Sequence, residues 1–188
     1  MGNALEIKGR INSVQNISQV TRALEAVSAS RVRRAQDAAE ATRNYAEKAW
    51  EILLNVQSTA REGTVLHPLL EQRDEVNKRR VIVITSDRGL AGAYNTNILR
   101  VARRFAEKSK VPIDFITVGQ KGRDTFIREE RDVVAEFSNL PAEPGVADIK
   151  PIVRAAINDF RAGENDEVFI AYTDFINTLT QRPVILRL

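Results

Sequence analysis

The chain has 188 residues and a mass of 21.1 kDa, the size of one domain or of one domain with an appendage. Hydrophobic residues make up 43% and charged residues 28%, enough to fill a core, and 28 Lys and Arg against 25 Asp and Glu leave only +3. That is not the charge of a nucleic-acid-binding domain, and the absence of cysteine excludes disulfides, thiolate nucleophiles and Cys-ligated metals. The single histidine, His67, makes a histidine-rich metal site unavailable. No run of about 18 apolar residues is present, so no membrane-spanning helix is expected. The opening MGNALEIKGR lacks an apolar signal core, and Glu6 stands where a myristoylation pattern requires Ser or Thr. The expectation is a soluble intracellular protein or a soluble subunit of something larger.

Residues 10–62 contain neither glycine nor proline and are rich in Ala, Arg, Glu and Gln, which predicts one long helix. Ile7, Ile11, Val14, Ile17, Val20, Leu24 and Val27 recur at steps of three and four, so they form one apolar stripe. Beyond Val32 the pattern thins to alanines before Trp50, Ile52, Leu53, Leu54 and Val56. About 50 helical residues reach roughly 75 Å, longer than a body built from the remaining residues is wide. The helix is therefore expected to project, with a stripe that needs a partner helix or a socket. Arg31, Arg33 and Arg34 form a basic cluster halfway along. It reads as a solvated face, as a dock for an acidic protein surface, or as a sparse DNA-binding segment with no zipper behind it. Tyr45 and Trp50 read as packing anchors at the root of the helix.

A second region, 63–188, alternates strand and helix patterns. RRVIVITS (79–86), IDFITVG (113–119), RDVVAEFSNL (131–140), EVFIAYTDF (167–175) and PVILRL (183–188) read as strands. Helices are expected over 96–110, 121–130 and 148–163, the last with Asp148 as N-cap, Pro151 in its first turn and Gly163 as its stop. This alternation implies a parallel or mostly parallel sheet covered by helices, a Rossmann-like α/β body. The sequence ends on an apolar strand and the long stripe has no partner within it. The expectation is that a C-terminal portion is missing or supplied by another molecule.

The best local motif is ITSDRGLAGAYN (84–95), at the carboxyl end of the first strand, where open α/β sheets bind ligands. Gly89 and Gly92 would let the backbone turn tightly and offer amides to a phosphate, but no Walker lysine or GxGxxG spacing accompanies them. A structural turn is the plainer reading of Asp87, Arg88, Gly89 and Gly92. Ser86, Asp87 and His67 lack the GxSxG elbow of a hydrolase. The acidic group Asp124, Glu129, Glu130 and Asp132 is interspersed with Arg123, Arg128 and Arg131, which predicts surface ion pairs rather than a metal site. No catalytic, cofactor or metal site is expected.

Three stretches together resemble one family. IKGRINSVQNISQVTRALEAVSASRVRRAQ (7–36), ITSDRGLAGAYNTNI (84–98) and FINTLTQRPVILRL (175–188) are similar to the gamma subunit of the rotary proton-translocating ATP synthase. Leu24 stands where that family commonly has methionine, and Arg31 and Arg34 where it has lysines; the family's C-terminal helix has no counterpart in these 188 residues. The resemblance implies that the long helix is half of an antiparallel coiled coil, a rotor shaft over 1–62, and that 63–188 is the foot of the central stalk. It implies alpha and beta subunits of a catalytic hexamer as partners, with an epsilon-type small subunit and a membrane rotor ring below. A peripheral place on the cytoplasmic (or equivalent inner) face of the membrane follows, with no nucleic acid and no cofactor. The stripe from Ile7 to Val27, with Arg31, Arg33 and Arg34, becomes the partner interface, and Asp87 and Arg88 are expected to pair or cap nearby backbone. The competing reading is a nucleotide-binding α/β enzyme with an N-terminal oligomerisation helix, which would hold its ligand at Gly89–Gly92.

Overall fold

The computed structural model describes residues 2–59, 67–70 and 73–188. The chain divides into two compact units, Met1–Ser58 and Thr59–Leu188. The boundary expected between residues 62 and 63 lies outside the described residues.

The first unit is a single helix, α1 (Gly2–Thr59), of 58 residues. At 1.5 Å per residue it is about 87 Å long. It runs through Gly9, beyond the glycine-free stretch that begins at residue 10. A mid-helix glycine costs only about 1 kcal/mol, and the surrounding residues are good helix formers.

The second unit opens with a short 3₁₀ turn, Pro68–Leu70, and builds a five-stranded sheet of order β3-β2-β1-β4-β5. Its elements are β1 (Arg79–Ile84), α2 (Tyr94–Lys108), β2 (Ile113–Val118), α3 (Gln120–Arg128), β3 (Val133–Phe137), α4 (Val146–Ala162), β4 (Glu167–Phe175) and β5 (Gln181–Arg187). Strands β1 to β4 run parallel; β5 pairs antiparallel with β4. The reversal has a simple cause: only residues 176–180 separate β4 from β5, and a parallel return needs a crossover of a dozen residues or more.

Both sheet faces are covered, which explains the unbroken apolar run VIVI in β1. On one face Val81, Val83, Phe115 and Ala171 pack with Ile98, Leu99 and Ala102 of α2 and Phe126 of α3. On the other, Ile82, Ile116 and Val118 meet Ile152 and Ala156 of α4. Phe115 and Phe126 stack with ring centroids 4.4 Å apart.

Two details of α4 differ from expectation. Gly145 is the N-cap, and Asp148 sits three positions inside, where its carboxylate accepts the Gly145 N–H at 2.8 Å. Pro151 lies inside the helix in its second turn rather than its first. Its ring nitrogen has no proton to donate, so α4 forgoes one ladder bond there. Gly163 does end the helix, in the left-handed conformation with φ +80°.

The amino end of the sheet carries an ion network within the core. Arg80, 2% exposed, grips the fully buried Asp114 with two bonds of 2.7 Å, and its third nitrogen donates to Asp159 of α4. Lys78 adds a contact to Asp114 at 2.9 Å. Burial alone would raise the Asp114 pKa, but the hydrogen bonds from Arg80 and Lys78 outweigh it and hold the carboxyl below its ordinary range. Asp166 is likewise held low, first by Arg73 at 2.6 Å and then by the N–H groups of Asn77 and Lys78.

Candidate partner interface

Along α1 the predicted stripe is unburied. Ile7, Ile11, Val14, Ile17, Val20, Leu24 and Val27 are each between 50 and 65% exposed. Ile7, Ile11 and Val14, with Arg10 and Gln15, line a shallow apolar groove. An isolated helix gains nothing from such a row of branched side chains; the row is stabilising only when another surface removes it from water.

The basic cluster does not form one face. At 100° per residue Arg31 and Arg34 continue the stripe, while Arg33 points to the opposite side. All three are exposed and make no ion pair among the described residues. Tyr45 is 80% and Trp50 39% exposed.

The turn after β1 is built differently. Thr85 is buried; its hydroxyl lies 3.1 Å from the Val118 carbonyl and accepts the Gly122 N–H at 2.9 Å. Gly119 makes this closeness possible. Its φ is +96°, and a Cβ there would lie 2.3 Å from the Thr85 carbonyl oxygen.

Asp87 reaches across the sheet end. One carboxylate oxygen accepts the N–H of Gln120, the first residue of α3, and the other accepts the Asn139 N–H beyond β3, both at 3.0 Å. A carboxylate from this chain thus occupies the helix N-terminus that an anion would otherwise favour.

Ser86 is tied to Asn95 through its backbone N–H at 3.0 Å and through its hydroxyl. Arg88 differs from expectation: its carbonyl accepts the Ser86 hydroxyl at 2.6 Å, but its exposed guanidinium meets no carboxylate among the described residues. The left-handed residues of the loop are Leu90, φ +61°, and Gly92, φ +55°; Gly89 is not among them.

Beside this loop lies an open cavity of about 290 Å³, lined by Ala91, Ala93, Tyr94, Asn97, Thr173, Leu179, Gln181 and Pro183. Burial pushes the Tyr94 phenol up. No lysine or arginine lines the cavity, so a phosphate there would find no cation. His67 is occupied locally, its Nδ1 accepting the Leu69 N–H at 3.2 Å. Among the described residues no cluster of three or more His, Asp or Glu is arranged to hold a metal. Of the acidic group, Asp124 pairs with Arg123 at 2.8 Å and Glu129 with Arg103 at 2.6 Å.

An α/β body with its own core, joined in sequence to a long helix with an unburied apolar row, defines the class of α/β chains that carry a long amphipathic helix. The sequence model of the ATP synthase family matches residues 3–188, and the chain belongs to that family. The ATP synthase gamma chain of Dehalococcoides mccartyi is 43% identical over all 188 residues, and that of Chloroflexus aurantiacus 43% identical over 195 aligned positions. The gamma chain of Desulfitobacterium hafniense is 37% identical over 188 residues. In each case this chain spans 66% of the relative's length. The central stalk of the Tetrahymena thermophila mitochondrial ATP synthase has a similar fold, with TM-score 0.66 and 22% identity over 90% of this chain and 71% of that one.

Proposed function

We propose that this chain acts as the central-stalk (gamma) subunit of a rotary ATP synthase, coupling rotation driven by proton flow to ATP synthesis or hydrolysis in a hexamer of alpha and beta subunits. The observation that carries the reading is the unburied apolar row of α1 in a member of this family.

In this reading α1 is part of the shaft, and the row from Ile7 to Val27, extended by Arg31 and Arg34, is its contact surface. An apolar row slides past neighbours without having to break ion pairs at each step. Leu24 and Arg31 meet the lower rim of the ring. A shaft that touched all three catalytic sites equally would shift no equilibrium; an asymmetric one biases each site in turn. The chain contributes no catalytic group and binds no cofactor. The α/β body is the foot, meeting an epsilon-type small subunit and the membrane rotor ring. The assembly holds it peripherally at the cytoplasmic or equivalent inner face, with no insertion of its own; no described helix is long and apolar enough to cross a membrane. The Asp87 turn keeps the foot rigid by pinning the starts of α3 and the loop after β3 to one carboxylate.

Co-expression with alpha and beta subunits followed by sizing tests this. The expected product contains one copy per hexamer. Failure to co-purify with them, together with a nucleotide-dependent rise in melting temperature, would favour the enzyme reading instead.

A further inference from the structure

We draw no further inference here: the strongest candidate, the open cavity of about 290 Å³ between the loop after β1, the start of α2 and the β4–β5 hairpin, is lined only by uncharged side chains, and nothing in the structure shows what covers it.

Discussion

Val83 and Val20 are the same side chain in two opposite circumstances: the first is 0% exposed at the centre of β1, the second 59% exposed on α1. The α/β body buries its β-branched residues against its own helices, satisfies its loop ends with Asp87 and Asn95, and neutralises its buried Asp114 with Arg80. The helix does none of this. Ion pairs along it such as Arg10 with Glu6 and Lys48 with Glu51 are exposed neighbours worth a few tenths of a kcal/mol each. The body's apolar residues are buried by the body itself while those of the helix row stay exposed, so under the proposed function substitutions in the two should report on different assays.

The largest effect is expected at the sheet centre. Val83→Asp places a charge between two strands and under α2, where no partner is available, and should abolish cooperative unfolding altogether. A soluble variant with a sharp thermal transition would show that β1 is not the central strand.

Arg80→Ala should follow, with a loss of about 3 kcal/mol by chemical denaturation, because it removes two of the hydrogen bonds to the buried Asp114 carboxylate and leaves Lys78 as its remaining cation. The pH dependence has the same origin. Asp114 and Asp166 are held below their ordinary range in the folded chain, so the unfolded chain binds protons first as pH falls. Their stabilisation is complete above the unfolded carboxylate range and should disappear progressively from about pH 5 downward. Asp114→Asn should flatten that acid limb; an unchanged limb would remove Asp114 from the account.

Asp87→Ala is expected to cost less, about 1–3 kcal/mol, the range for leaving backbone donors such as Gln120 N–H and Asn139 N–H without their acceptor. Amide exchange at those two positions should quicken before any change in β1.

The smallest stability effect and the largest effect on association are expected together at Leu24→Lys. Leu24 is 61% exposed, so melting should move within about 0.5 kcal/mol while binding to alpha and beta subunits weakens at least tenfold. Equal losses in both would place Leu24 in a core rather than an interface.

The sequence exposes this division unevenly. Strands β1, β2 and β4 are legible because parallel strands covered on both faces read as continuous apolar runs. The stripe of α1 is legible from spacing alone. The Arg80–Asp114 pair is not, since its members are 34 residues apart and are joined only by the parallel register that sets Arg80 beside Asp114. Asp87 is legible as a turn residue, but its acceptor role toward Gln120 and Asn139 depends on where β2 and β3 end. Asp148 reads from sequence as the cap itself because an acidic residue at either the cap or the third position satisfies the same helix-start pattern. Leu90 shows the limit most clearly: the left-handed position falls on a leucine while Gly89 beside it needs no such freedom.

The most direct measurement places a photoreactive residue at Leu24 in the chain mixed with alpha and beta subunits. The account predicts adducts between α1 and those subunits, with none from the same probe placed at the buried Phe115. A probe at Leu24 that yields no adduct with either subunit would contradict the claim that the apolar row of α1 is their contact surface.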